Sequence, residues 1–264
     1  MDLQLEGKTA LVTGSTAGIG FAITEGLARE GASIIVNGRT ENRVETAVQE
    51  LKSRVPKGNI QGLAANLGDA VGVEQTIAKF PQVDILVNNL GIFEPKPFEN
   101  IPDKDWFRFF EVNVMSGVRL SRHYLPKMKE RNWGRILFIS SESAVQIPAE
   151  MIHYGMTKTA QLAISRGLAE TTVGTGVTVN TVLPGPTASK GVEDFVEQLA
   201  AGQGISREEV EKEFFRSVRP SSLLKRFATP EEVANVVTYL CSPLSSATNG
   251  SAVRVDGGVV RSIV

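Results

Sequence analysis

Short β-rich runs alternate with helical patterns almost from end to end of this 264-residue chain, and that alternation restricts the fold more than any other feature. Lys8–Thr13 (KTALVT) is predicted as a strand, and Gly18–Arg29 as a helix with Ile19, Ile23 and Leu27 spaced four apart on one face. Strands are predicted at Ser33–Asn37, Asn59–Ala64, Val83–Asn88, Arg135–Ser140, Val177–Leu183 and Ala252–Val255. Between them lie helical patterns, the longest being one continuous helix from Pro102 to Arg131 and another from His153 to Val173. The strands read as near-continuous apolar runs, as strands covered on both faces must. Because a parallel strand pair needs a crossover that packs back onto the sheet, this order predicts an α/β chain. It is expected to form a single domain over 1–264: a doubly wound, parallel, seven-stranded sheet with helices on both faces. The least regular stretch, about Pro184–Pro220, follows the sixth strand at the carboxyl end of the sheet. Ligands bind there in such folds, so a substrate lid is expected at about 188–220.

Bulk properties narrow the function. A formal net charge of −1 gives no footprint for nucleic acid or a membrane surface. No stretch approaches the roughly 20 apolar residues of a membrane span, and the N-terminus lacks the pattern of a secretory signal. A cytoplasmic enzyme acting on a small molecule is the expectation. Cys241 is the one cysteine, so no internal disulfide forms, and it reads as a small buried hydrophobe. His123 and His153 have no neighbours at metal-ligand spacing, so no metal site is expected, and His153 is expected at the surface.

The first strand runs into Thr13-Gly14-Ser15-Thr16-Ala17-Gly18-Ile19-Gly20. Gly14 permits a tight turn, Gly18 lets backbone approach a pyrophosphate, and Gly20 lets the helix pack closely. Backbone N–H groups and the positive helix end then face phosphates, which places Gly14, Ser15, Thr16, Gly18, Ile19 and Gly20 around a cofactor. At the end of the second strand, Asn37 stands where an acid would bond a ribose 2′-hydroxyl and repel a 2′-phosphate. Arg39 follows and offers a planar fork to a dianion. NADP(H) is therefore favoured over NAD(H).

Thr-Gly-x-x-x-Gly-Ile-Gly near the N-terminus resembles the short-chain dehydrogenase/reductase family, and later motifs agree in order over nearly the whole chain. The resemblance implies a Rossmann fold and a homotetramer. Asn66-Leu67 stands where relatives carry an Asp and an apolar residue against the adenine, and Asn88-Asn89-Leu90-Gly91 matches an Asn-Asn-Ala-Gly motif with Leu90 in place of alanine. Asn66, Leu67, Asn89 and Gly91 are accordingly expected at the cofactor. Pro184-Gly185-Pro186-Thr187 matches a segment that contacts the nicotinamide, which adds Pro184, Gly185 and Thr187.

Tyr154 and Lys158 lie four apart, on one face of a predicted helix. A nearby ammonium favours a phenolate, so Lys158 is expected to lower the Tyr154 pKa. Ser141 precedes Tyr154 by thirteen positions, about the separation of the family's catalytic serine, and its hydroxyl can donate to a carbonyl oxygen. By resemblance, Asn113 is the fourth catalytic residue, its backbone carbonyl holding a relay water, and Tyr154 and Lys158 also touch the cofactor. The implied reaction moves a hydride between nicotinamide and a carbonyl or alcohol carbon. Glu142, beside Ser141, reads either as a recognition group for a hydroxyl-rich or cationic substrate or as a solvated acid. Two other readings remain open. One is a 3-oxoacyl-[acyl-carrier-protein] reductase, supported by the basic stretch Lys127, Lys129 and Arg131. The other is a non-catalytic NADP-binding sensor.

Overall fold

The computed structural model describes residues 2–263. Its seven strands are β1 (Thr9–Val12), β2 (Ser33–Gly38), β3 (Ile60–Ala64), β4 (Ile85–Asn88), β5 (Gly134–Ile139), β6 (Val177–Pro184) and β7 (Ala252–Val255). They pair in the order β3-β2-β1-β4-β5-β6-β7, and every pairing is parallel. The order reverses between β1 and β4, which opens a crevice at the carboxyl ends of those two strands.

Successive strand residues face opposite layers, so the alternating apolar positions divide into two cores. Ala10, Val12, Ile34, Val36, Ile85 and Val87 pack in one. That layer is built with α1 (Gly18–Arg29), α2 (Glu41–Arg54) and α9 (Pro230–Cys241). Leu11, Ile35, Leu86, Ile136 and Phe138 pack in the other. Its helices are α3 (Ala70–Lys79), α5 (Ser116–Glu130) and α6 (Ile152–Glu170). Cys241 is buried in the first core.

The single helix expected over 102–131 is interrupted. It comprises α4 (Asp103–Phe110), a π-helical turn over Glu111–Met115, and then α5. The π turn lies beside the crevice and carries Asn113, whose side chain bonds Ile92 and Thr157. The segment after β6 forms α7 (Lys190–Gln203), α8 (Arg207–Glu213) and a second π turn over Phe214–Val218. No described helix is long and apolar enough to cross a membrane.

Candidate active site

The glycine turn closes β1 onto its neighbours before α1 begins. Gly14 has φ +61° and Gly18 has φ +58°, conformations that side-chain-bearing residues rarely adopt. Much of the turn's hydrogen bonding is internal. The Gly14 N–H donates to Asn37 Oδ1 at 3.0 Å, and the Ser15 N–H to the Asn37 carbonyl at 2.8 Å. Ser15 Oγ donates to the Val12 carbonyl at 2.7 Å and accepts from the Asn37 N–H at 2.9 Å. Gly20 is required for a further reason: a Cβ there would lie 2.5 Å from Asn89 Nδ2. That amide donates to the Thr13 and Gly14 carbonyls at 2.9 and 3.1 Å.

Three residues expected at the ligand therefore work on the turn itself. Asn37 is buried, and its Nδ2 donates to the Leu63 and Ala65 carbonyls, tying β2 to β3. Its side chain is consumed there, and Gly38, at the end of β2, shares the lining of the cleft with Arg39. Ser15 and Asn89 fasten the turn in the same way.

The start of α1 supplies the fit for an anion. Its N-cap is Ala17, which offers no side-chain cap, and no acid sits in the first turn. By contrast, α3 is capped by Asp69, which accepts from the Gly72 N–H at 2.8 Å, and α9 has a full capping box from Thr229 and Glu232. An Ala N-cap forgoes about 0.5–2 kcal/mol of helix stability and leaves first-turn N–H groups for an external acceptor. Beside this helix end lies a cleft of about 390 Å³ whose lining includes Thr16, Arg39, Arg43, Asn66, Leu67 and Gly91. Asn66 bonds Asp69 Oδ2 at 2.6 Å and leaves Leu67 buried under the cleft. Backbone donors, an apolar floor and two guanidiniums at one end suit a phosphorylated dinucleotide.

At the carboxyl end of β5 the other candidates come together. Ser141 follows the strand, and Tyr154 and Lys158 project from the first turns of α6. Ser141 is close enough to Tyr154 to lower the pKa of its phenol, and Lys158 Nζ lies 5.5 Å from the Tyr154 ring centroid. The neighbouring Ser140 points away and donates to the Lys158 carbonyl at 2.9 Å, fixing α6 to the strand. Lys158 Nζ donates to the Ile139 carbonyl at 2.9 Å and to Gln161 Oε1 at 3.4 Å. Asn113 accepts from the Ile92 N–H at 2.8 Å and donates to Thr157 Oγ1 at 3.0 Å. Its backbone carbonyl accepts from Gln161 Nε2 at 2.6 Å. Pro184 and Gly185 end β6 nearby, and Thr187 Oγ1 donates to the Gly185 carbonyl at 2.9 Å, shaping that turn.

The electrostatics differ from expectation. Burial, and then the Glu142 carboxylate, push the Tyr154 phenol well above the ordinary tyrosine range, against smaller opposing effects of Ser141 and Arg219. Lys158 Nζ is hydrogen-bonded to the Ile139 carbonyl and Gln161 Oε1 and makes no hydrogen bond to the Tyr154 oxygen. Desolvation pulls Lys158 itself down to about 8.

Two groups near Tyr154 were not singled out in the sequence. Gln161 joins Lys158 to the Asn113 carbonyl, and its spacing from Tyr154 and Lys158 along one helix face was a readable signal. Arg219 follows the second π turn and pairs with Glu142 Oε1 at 3.0 Å and Glu150 Oε1 at 3.2 Å. Nothing local marks it. Glu142 is buried rather than solvated. His153 is also fully buried, packed on Phe109 with ring centroids 4.0 Å apart, because the first turn of α6 is covered by α4. The basic stretch lies elsewhere. Lys127 and Arg131 donate to the Pro81 and Val83 carbonyls, and Lys129 to that of Thr171, at the amino ends of the strands.

The chain is similar to known oxidoreductases over its whole length. Residues 14–260 match the family model described as "Enoyl-(Acyl carrier protein) reductase". The "Uncharacterized oxidoreductase YvaG" of Bacillus subtilis (strain 168) is 53% identical over 263 residues, with 100% of each chain covered. The 3-oxoacyl-[acyl-carrier-protein] reductase FabG of Aquifex aeolicus (strain VF5) is 32% identical, covering 98% of this chain and 100% of its own. L-sorbose reductase from Gluconobacter frateurii, solved with NADPH and L-sorbose, superposes at TM-score 0.91 with 33% identity and 100% coverage of both chains.

Proposed function

This chain belongs to the short-chain dehydrogenase/reductase family of oxidoreductases, and from that premise we propose that it is an NADP(H)-dependent reductase of a small-molecule carbonyl, reversible to the alcohol. The observation that carries the reading is the meeting of Ser141, Tyr154 and Lys158 beside an uncapped helix start at the switch point of the sheet.

In this reading the N–H groups at Thr16, Gly18, Ile19 and Gly20 hold the pyrophosphate, with Gly14, Ser15, Asn37 and Asn89 shaping the turn. Arg39, helped by Arg43, takes the 2′-phosphate. Asn66 and Leu67 hold the adenine side, Gly91 the middle of the dinucleotide, and Pro184, Gly185 and Thr187 the nicotinamide side. When bound, the reduced nicotinamide supplies the hydride. Tyr154 is the general acid: its raised pKa keeps the proton on Oη until an alkoxide develops. Ser141 donates a hydrogen bond to the same oxygen. Lys158, as an ammonium, balances the charge left on Tyr154 and binds ribose hydroxyls. Asn113 orients the Lys158 end through Gln161.

The segment 188–220 serves as a lid. A Cβ on Gly18 would lie 3.2 Å from Ser189, and Arg219 reaches Glu142, so both ends of the segment touch the site. The basic stretch lies at the opposite end of the sheet from Tyr154, so it lends no support to the carrier-protein alternative, which rests instead on the FabG relative. The test is Tyr154→Phe. NADPH affinity should stay within about threefold while turnover falls by at least ~10². An unchanged kcat would remove Tyr154 as the acid.

A further inference from the structure

A serine hydroxyl has one proton to donate. In this structure Ser141 donates it to Glu142 Oε2 at 2.5 Å, and Ser141 Oγ also accepts the Ser143 N–H at 3.1 Å. While that arrangement holds, Ser141 cannot donate to a substrate oxygen. The other carboxylate oxygen, Glu142 Oε1, is occupied by Arg219 Nε at 3.0 Å. Glu142 and Arg219 are both buried, and the charge of each is felt at the Tyr154 phenol. The Glu142 carboxylate therefore sits at the reaction centre, with one oxygen fixed by Arg219 and the other held, among the described residues, by the serine alone.

We propose that Glu142 determines specificity, and that the substrate is a neutral α-hydroxy ketone or the corresponding vicinal diol. The hydroxyl beside the carbonyl donates to Glu142 Oε2 in place of Ser141, and Ser141 turns its freed proton to the carbonyl oxygen. This rests on the reading of Tyr154 and Ser141 given above. No covalent bond changes in the exchange; one hydrogen bond to the carboxylate replaces another. A simple ketone brings no donor, so it must compete with Glu142 for the Ser141 proton. Arg219 already pairs with Glu142, so the carboxylate calls for a hydrogen-bond donor rather than a second positive charge. A 2-oxo acid meets two carboxylates, Glu142 and Glu150, against one arginine. A 3-oxoacyl thioester carries no hydroxyl beside its ketone. The neutral hydroxy ketone is the class for which every group has a partner.

Hydroxyacetone and 2-butanone differ by one exchange, hydroxyl for methyl, and make the test. In the wild-type protein with NADPH, kcat/KM for hydroxyacetone should exceed that for 2-butanone by about 10- to 100-fold, the range for a hydrogen bond to a charged group. Glu142→Gln, checked for folding by NADPH titration, should reduce that preference below about threefold. Binding is read separately in Tyr154→Phe, from the fluorescence of bound NADPH, where hydroxyacetone should bind at least about tenfold more tightly than 2-butanone. Equal kcat/KM in the wild type, or a preference that survives Glu142→Gln, overturns the assignment. If neither ketone turns over, the carbonyl-reductase reading fails instead. The titration then decides Glu142 alone, and equal affinities overturn it.

Discussion

Replacing Gln161 by leucine should move the pH dependence of turnover, whereas replacing it by alanine should not. Gln161 is 1% exposed and spans two groups, donating to the Asn113 carbonyl at 2.6 Å and accepting from Lys158 Nζ at 3.4 Å. Leucine fills a similar volume with no polar atom. It strands the Asn113 carbonyl from that donor, at a cost of about 1–3 kcal/mol, or about 2–10 °C in Tm for a domain of this size. It also removes one of two acceptors from the Lys158 ammonium. Burial already pulls that ammonium down to about 8. Lys158 loses its proton as pH rises through its pKa, and the working form is the ammonium. Losing an acceptor therefore moves the alkaline limb to lower pH. A hydrogen bond to a charged group is worth ~1.5–3 kcal/mol at good geometry, and 3.4 Å is long, so about half a pH unit to one is expected. Alanine instead leaves space for about one water, which can donate to the Asn113 carbonyl and accept from Lys158. Its alkaline limb should stay near that of the wild type. The assay is kcat/KM for a ketone at saturating NADPH from about pH 6 to 10, with Tm measured on each variant. A purely structural role would lower Tm and leave both limbs in place. Limbs in all three proteins coinciding within about 0.2 unit would refute the link between Gln161 and Lys158.

Two further outcomes test the cofactor cleft. Arg39→Ala should raise the NADPH dissociation constant about tenfold at low salt, less at high salt, and leave NADH unchanged; equal loss for both cofactors would contradict the 2′-phosphate assignment. Ala17→Asp should cap α1 and stabilise the cofactor-free protein by about 0.5–2 kcal/mol in a thermal melt. The same variant should weaken NADPH at least about tenfold by placing an anion on the helix end, and an unaltered affinity would show that the phosphates do not sit there.

Much of this protein was legible in its sequence because the relevant signals are local. Near-continuous apolar runs marked the strands and a period near four the helices, and parallel strands with helical crossovers permit few topologies. Thr13 to Gly20 marked a tight strand-to-helix turn by its glycines together with its place between a strand and an amphipathic helix, and Tyr154 and Lys158 shared a helix face by arithmetic. The π turn at Asn113 was not legible, and neither were the bonds Asn113 makes there to Ile92 and Thr157 on other segments. His153 showed no sign of burial, because the cover comes from α4.

What only the tertiary structure decided is how each polar group is used. Asn37 is adjacent in sequence to Arg39, yet its amide is consumed by Gly14, Leu63 and Ala65. Glu142 is an ordinary acid until Arg219, 77 residues away, arrives to pair with it. Gln161 acquires its place from Asn113, 48 residues earlier. A hydrogen bond or desolvation cost depends on which distant atoms share a volume, and side-chain periodicity along one segment carries no record of that.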